Sequence, residues 1–353
     1  MRVAALLILA MACLPAEAQR VVGYHAWWMQ DSWQDYDLGL YDKLLFFEFA
    51  VDAEGGIAET HGWPSSWRPM VQAVHAAGGK VAPTFAILDP VIFSAVLGNP
   101  RARGRLRDTV LRMVREGDAD GAHLNFEIFE PSTPAAREGY STLVRELRAG
   151  LRAYRADAEL TIFLPGFDHG EAYDETALSA EADYLIVQGY DMHWLNGPEA
   201  GPVAPIRGWN GASWEGILGR FAAQGIDAGK IVMAVPYFGY EWPTESDRPG
   251  AATRGEGVPI TYEAVPSDLL PLIRINATER VGVYGIRRDP VSDSPYYVYS
   301  AGGRWYQGWF EDASSLRAKY RLVAQRGLGG VAVFLLGYDG GRLEPVLREA
   351  FRR

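Results

Sequence analysis

A chain of 353 residues with a single cysteine and a formal net charge of −10 excludes several classes of protein. The 44 acidic residues outnumber the 34 lysines and arginines, and no basic cluster offsets them, which argues against nucleic acid and anionic membranes as partners. Because Cys13 stands alone, the sequence also excludes an internal disulfide and a cysteine-ligated zinc site.

The first segment of the chain, residues 1–18, has the form of a secretion signal. Arg2 supplies the positive start, residues 3–12 the apolar run, and residues 16–18 the small-x-small cleavage pattern. The apolar run is too short to span a membrane, so we expect no transmembrane segment. We expect cleavage after this segment and a secreted or periplasmic protein. The alternative is a lipid anchor on Cys13.

Residues 19–353 alternate short β-rich runs with helical patterns, which is typical of a parallel α/β fold. The predicted strands are 21–25, 44–51, 80–86, 122–129, 160–167, 184–191, 231–238 and 330–336. Helical patterns lie between them, for example at 67–77, 101–116, 135–154, 214–224 and 314–326. Gly225 and Gly327 follow the last two helical patterns, as expected at helix ends.

One interval, residues 241–312, is far longer than an ordinary loop. It separates the seventh predicted strand from the helix that begins near Ser314. β-rich pieces at 280–286 and 296–299 predict a small α+β insertion on the active face of the barrel. The insertion either contacts the substrate or is a structural cap without ligand contact.

The fourth predicted strand has an unusual polar face. Successive side chains leave a strand on opposite faces, so His123, Asn125 and Glu127 point one way and apolar residues point the other. Such groups are costly inside a parallel sheet unless they are paired or used. The pattern therefore indicates either a satisfied polar network in the core or a catalytic strand that ends in the carboxylate of Glu127.

Several segments, in chain order, resemble motifs of the family-18 glycoside hydrolases, the chitinase family. Residues 120–127 resemble its D-G-x-D-x-D-x-E motif, with His123 and Asn125 in place of two aspartates. The other matching segments are Val-Gly-Tyr at 22–24, Phe-Glu-Phe-Ala at 47–50, Gln-Gly-Tyr-Asp at 188–191, Val-Pro-Tyr-Phe-Gly at 235–239 and Gly-Gly-Val-Ala-Val-Phe at 329–334. The resemblance implies a (β/α)8 TIM barrel interrupted by the α+β insertion.

The resemblance also implies a retaining mechanism in which the 2-acetamido oxygen of the substrate attacks the anomeric carbon. Glu127 would be the general acid and base. Tyr190 would hold the acetamide oxygen, and Asp191 would support that site. Asn125 would accept the acetamide N–H without the charge of an aspartate, as in the Asn-x-Glu pair of family-85 endo-β-N-acetylglucosaminidases. The implied substrates are β-linked N-acetylhexosamine glycans, namely chitin oligomers, peptidoglycan or an N-acetylated exopolysaccharide.

Further residues at predicted strand ends complete the candidate site. The expected substrate-binding residues are Tyr24, Trp27, Glu48, Phe49, His123, Gln188, Tyr237 and Phe334. Phe334 replaces the tryptophan that the family places under the sugar. Glu48 either pairs with His123 inside the barrel or faces the substrate at a strand end. We expect no cofactor, no metal ion, since no His/Asp cluster has ligand spacing, and a monomer.

Two other functions remain compatible with the sequence. A carbohydrate-binding protein on the same barrel, with weak or no catalysis, is favoured by His123 and Asn125, whereas Glu127 favours the enzyme. A glycosidase for sugars without a 2-acetamido group would require a second carboxylate about 5–5.5 Å from Glu127. Glu48 and Asp191 are the candidates for that carboxylate.

Overall fold

The computed structural model of the chain describes residues 19–266 and 268–351. The expected signal segment, with Cys13, lies outside the described residues, so cleavage and the alternative lipid anchor stay predictions. Within residues 19–266 and 268–351, no helix combines the length and the apolar character needed to cross a membrane.

Eight parallel strands close into a barrel, as the sequence predicted. They are β1 (Arg20–Ala26), β2 (Lys43–Ala50), β3 (Lys80–Ile87), β4 (Gly121–Phe126), β5 (Glu159–Leu164), β6 (Tyr184–Gln188), β7 (Ile231–Pro236) and β13 (Gly330–Phe334). The barrel closes because β13 pairs in parallel with both β1 and β7. β4 and β6 end earlier than predicted, so Glu127, Tyr190 and Asp191 lie in the loops that follow these strands.

Helices surround the barrel between its strands. They are α1 (Arg68–Ala76), α2 (Pro90–Leu97), α3 (Pro100–Glu116), α4 (Pro134–Tyr154), α5 (Glu175–Glu181), α6 (Trp214–Ala223), α8 (Ala313–Gln325) and α9 (Glu344–Ala350). The helices predicted at 67–77, 101–116, 135–154, 214–224 and 314–326 are confirmed as α1, α3, α4, α6 and α8. Side chains cap several of their first turns, for example Asn99 on α3 and Thr133 on α4, and a proline follows each of these caps.

A second sheet follows β7 almost directly and forms the predicted insertion. Its antiparallel strands, in the order β10-β11-β12-β8-β9, are β8 (Phe238–Thr244), β9 (Val258–Thr261), β10 (Arg287–Arg288), β11 (Pro295–Ala301) and β12 (Arg304–Trp309), and its helix is α7 (Ala277–Tyr284). The β-rich piece predicted at 296–299 lies in β11. The prediction at 280–286 is wrong over most of its length, because a side-chain cap from Asn276 starts α7 there.

The register of the barrel strands determines which side chains face the interior. Partners across a parallel pair point to the same side of the sheet. The successive partners Thr84, His123, Thr161 and Tyr184 therefore share one side, and the contacts of His123 with Tyr24 and Thr161 place that side inside the barrel. Asn125 lies two residues beyond His123 on β4 and also points inward, toward the carboxyl end of the barrel.

β2 carries an irregularity close to its carboxyl end. Its pairing with β3 shifts register between Phe46 and Phe49, so this strand contains an extra residue. Such a bulge re-aims side chains and is frequent beside active sites. The residues within the shift are Phe47 and Glu48.

Candidate active site

Glu127 lies at the centre of a polar cluster at the carboxyl ends of β4 and β6. It directly follows β4, and its backbone N–H donates to the carbonyl of Ile87 at 2.9 Å. The side-chain Nε2 of Gln188 donates to Oε1 of Glu127 at 3.1 Å. Asn125 makes a further hydrogen bond to the same carboxyl group. The polar face predicted for the fourth strand therefore converges on Glu127, together with a residue from β6.

The surroundings of Glu127 favour its protonated form. Burial, together with the carboxylates of Asp191 and Glu48, raises the pKa of Glu127 to about 8, although the hydrogen bonds from Gln188 and Asn125 oppose the rise. At neutral pH the carboxyl group therefore holds its proton, which is the state that a general acid requires.

Tyr190 and Asp191 lie in the loop after β6. The ring of Tyr190 is buried against Phe334, at 6.0 Å between ring centroids. The hydroxyl of Tyr240, on β8, donates to Oδ1 of Asp191 at 2.9 Å. Burial raises the pKa of Asp191 to about 6, and the hydrogen bond from Tyr240 opposes this. Asp191 also has a φ of 62°, in the left-handed region that non-glycine residues rarely occupy.

Tyr240 is a member of this cluster that was not predicted. It belongs to the insertion, whereas every predicted site residue belongs to the barrel strands or the residues that follow them. Strand alternation in the sequence could have grouped Tyr240 with Phe238, because both residues lie on one face of β8. Their rings are 5.5 Å apart. The insertion therefore contacts the site through at least one hydrogen bond.

Aromatic rings form the floor beside Glu127. Phe334, at the end of β13, is only partly buried, and its ring contacts those of Tyr24 at 5.4 Å and Phe47 at 5.2 Å between centroids. Phe47 was not predicted as a site residue, although it lies two residues beyond Leu45, the strand partner of Tyr24, and so shares its inward face. The exposed edge of this cluster offers an apolar surface for a sugar ring.

His123 lies below the cluster and is fully buried. The hydroxyl of Tyr24 lies 2.9 Å from its Nε2, and the hydroxyl of Thr161 lies 2.9 Å from its Nδ1. Burial and the charge of Lys43 lower the pKa of His123 to about 3, so the ring is neutral. The hypothesis that His123 pairs with Glu48 is wrong, because hydroxyl groups already occupy both ring nitrogens.

Glu48 is therefore not a partner of His123, and the other alternative, that it faces the substrate at a strand end, stays a prediction. It lies in the bulge of β2 and is partly buried, and its Oε2 has no hydrogen-bond partner within the described part of the chain. Burial raises the pKa of Glu48 to about 7. Its charge also contributes to the raised pKa of Glu127.

Three other predicted substrate-binding residues lie apart from this cluster. Trp27 is 38% exposed, and its ring stacks on that of His61 at 4.1 Å between centroids. Phe49 is fully buried, because the bulge of β2 turns it outward toward the helices. Tyr237 is buried beside Tyr320. Phe49 and Tyr237 are therefore core residues in this structure, and only Trp27 presents a ring face to solvent.

The chain is similar in sequence to two proteins of Bacillus subtilis. The glycosylase YdhD of Bacillus subtilis is 28% identical to this chain over 313 residues, which are 85% of this chain and 67% of YdhD. The cortical fragment-lytic enzyme of Bacillus subtilis is 25% identical over 250 residues, which are 69% of this chain and 52% of that enzyme. The chain thus spans about half to two thirds of the length of these relatives.

A solved structure shows the same fold. The class V chitinase from Nicotiana tobaccum superimposes with a TM-score of 0.79 at 17% identity, covering 95% of this chain and 99% of the chitinase. The model of the family described as glycosyl hydrolases family 18 matches residues 20–339, which include all eight barrel strands and the cluster around Glu127. The chain therefore belongs to glycosyl hydrolases family 18.

Proposed function

We propose that the protein is a secreted glycoside hydrolase that cleaves β-linked N-acetylhexosamine glycans by a retaining, substrate-assisted mechanism. The observation that carries this proposal is the carboxyl group of Glu127, held by Asn125 and Gln188 and protonated at neutral pH. The names of its relatives favour cortical fragments and chitin as substrates. Chitin oligomers, peptidoglycan and N-acetylated exopolysaccharide are the substrates to be tested.

Glu127 acts twice in this mechanism. Its proton passes to the glycosidic oxygen while the bond from that oxygen to the anomeric carbon breaks. The acetamide oxygen of the same sugar forms the new bond to the anomeric carbon, so no protein nucleophile is needed. Glu127, now a carboxylate, then takes a proton from the water that attacks the anomeric carbon. The bond to the acetamide oxygen breaks in that second step.

Neighbouring residues hold the acetamide group in line. Asn125 donates its amide N–H to Glu127, which leaves its carbonyl oxygen to accept the acetamide N–H. Burial keeps the pKa of Tyr190 well above its usual value, so its hydroxyl is neutral and donates to the acetamide oxygen. Asp191, fixed by Tyr240, supports the same end of the substrate. Positioning of this kind contributes several kcal/mol to catalysis.

The configuration of the first product tests this mechanism. We expect the newly formed reducing end to be the β anomer, because attack by the acetamide oxygen and then by water inverts the anomeric carbon twice. Proton NMR of the anomeric region during early turnover measures this outcome. A thiazoline analogue of the cyclised N-acetyl sugar should inhibit competitively. An α anomer as the first product would contradict the substrate-assisted mechanism, although hydrolysis itself would stand.

The pH dependence of hydrolysis is a second test. We expect kcat/KM to fall as the pH rises through about 8, because the raised pKa of Glu127 sets where the general acid loses its proton. The value belongs to the coupled group that Glu127 forms with Glu48 and Asp191. Replacing the exposed Glu130 with glutamine should leave the profile unchanged. An alkaline limb at the ordinary glutamate pKa would contradict the role of burial.

A further inference from the structure

A polar groove runs down the outer wall of the barrel from the face that carries the candidate active site. Its volume is about 700 Å³, and it lies between the first turns of α4 and the loop that joins β5 to α5. Pro131 and Ser132 form the end nearest the active face, because α4 runs from there back toward the opposite end of the barrel. The chain reaches Pro131 four residues after Glu127, and four residues span at most about 14 Å. The groove therefore opens close to the proposed point of cleavage.

The groove carries charges of both signs that solvent reaches. Arg137 and Glu138, on α4, and Glu171, in the loop after β5, line it and are exposed. Within residues 19–266 and 268–351, the side chains of these three residues have no hydrogen-bond or ion-pair partner. Arg145, two turns after Arg137 on α4, and His169 are exposed in the same groove. These charged groups are therefore accessible to a ligand from solution.

Arg137 lies where the groove continues into a second hollow. This hollow has a volume of about 370 Å³ and shares Arg137, Glu171 and Asp174 with the first. Among the described residues that line the two parts, Tyr173 is the one tyrosine, tryptophan or phenylalanine, and it is buried. The groove thus lacks the exposed ring faces on which sugars stack, in contrast to the floor beside Glu127. Its chemistry suits a charged group that is not a sugar.

We propose that this groove binds the stem peptide of peptidoglycan, with Arg137 pairing with a peptide carboxylate and Glu138 and Glu171 accepting the peptide amine. A stem peptide is a short chain of amino acids that branches from the glycan and carries free carboxylates and a free amine. This inference rests on the proposed function and narrows its substrate class to peptidoglycan that retains stem peptides. Chitin oligomers have no such branch and leave the groove empty.

Reach and charge both fit a stem peptide. A peptide of about five residues extends to about 17 Å, which exceeds the length of chain between Glu127 and the end of the groove. A guanidinium binds a carboxylate through two parallel hydrogen bonds, a geometry that favours Arg137 as the anion site. The neighbouring carboxylates of Glu138 and Glu171 disfavour a ligand with negative charge alone. Opposite charges in one groove therefore select a ligand that carries both.

Glycans that share the same sugars but differ in the peptide test the inference. One is a peptidoglycan tetrasaccharide with its stem peptides, and the other is the same tetrasaccharide after an amidase has removed them. Their Kd values are measured by calorimetry in the Glu127→Gln background, where no cleavage interferes. We expect the peptide-bearing glycan to bind about tenfold more tightly than the peptide-free one. Adding Arg137→Glu should bring that ratio close to one.

The matched control is Arg105→Glu, which reverses the charge of another exposed helical arginine, on α3 and outside the groove. This variant should keep the ratio. A third ligand, whose stem-peptide carboxylates are converted to amides, should bind about as weakly as the peptide-free glycan. High salt should also reduce the ratio, because the groove is exposed.

Three results would overturn the inference: equal binding of the two glycans, a ratio that survives Arg137→Glu, or full preference for the amidated peptide. The ratios need no turnover, so an inactive wild type would refute the hydrolase and leave the test of the groove intact. A wild type that cleaves N-acetylglucosamine oligomers but binds both peptidoglycan fragments equally would keep the hydrolase and refute the role of the groove.

Discussion

Replacing Glu127 with glutamine is expected to lower kcat on N-acetylglucosamine oligomers by at least about 10²- to 10⁴-fold. Glutamine keeps the shape of the side chain and its contact with Gln188, but it has no proton to transfer. Binding of the oligomer should persist, because the aromatic floor and the polar cluster remain. Initial rates and calorimetric Kd values measure the two effects separately.

The matched control is Glu130→Gln, which makes the same change at an exposed position and should retain full activity.

Thermal stability gives a second test of the assignment of Glu127. Burial and the carboxylates of Asp191 and Glu48 raise the pKa of Glu127 from 4.5 to about 8, so between these pH values the folded chain keeps a proton that the unfolded chain releases. The free energy of unfolding of the wild type therefore decreases as the pH rises from 4.5 to about 8. The Tm of Glu127→Gln should exceed that of the wild type at pH 8 but not at pH 4. Near-normal turnover in Glu127→Gln would refute the assignment of the general acid.

Replacing Asn125 with aspartate is expected to reduce activity by about tenfold or more and to lower the Tm at neutral pH. The amide of Asn125 donates to Glu127, and a carboxylate cannot replace that donor. The new charge would lie in a buried position beside Glu127, in a site that already contains Glu48 and Asp191. Repulsion among these groups should raise the pKa of Glu127 further.

The loss of stability in Asn125→Asp should depend on pH. The buried aspartate has a raised pKa in the folded protein, so the loss should be small in acid, where it is protonated, and grow as the pH rises. Thermal unfolding at several pH values measures this trend. A clear gain in turnover on an N-acetylglucosamine oligomer would contradict the expectation. It would show that Asn125 weakens an ordinary Asp-x-Glu site.

Alternation and chain order were enough to predict much of the fold and part of the site. Strand alternation predicted that Asn125 and Glu127 share an inward face, because β4 is regular up to its last residue. The placement of Gln188, Tyr190 and Asp191 followed from their position at the end of a strand, since strand ends meet at one face of a barrel. These inferences required only local geometry.

The remaining features depended on contacts that local patterns do not encode. The bulge in β2 turns Phe49 outward, and a regular alternation misses this effect. The hydrogen-bond partners of His123 lie on β1 and β5, and the spacing of residues in the sequence cannot indicate them. Tyr240 reaches Asp191 from the insertion, so its role depends on how two sheets pack.

The most direct test of the central claim is product analysis by mass spectrometry in water labelled with heavy oxygen. Wild-type protein and Glu127→Gln are incubated with N-acetylglucosamine oligomers and with peptidoglycan fragments. We expect the wild type to release shorter glycans that carry the heavy oxygen at their new reducing ends, and Glu127→Gln to release none. Oligomers that bind to the wild type yet remain uncleaved after prolonged incubation would contradict the hydrolase and establish a carbohydrate-binding protein.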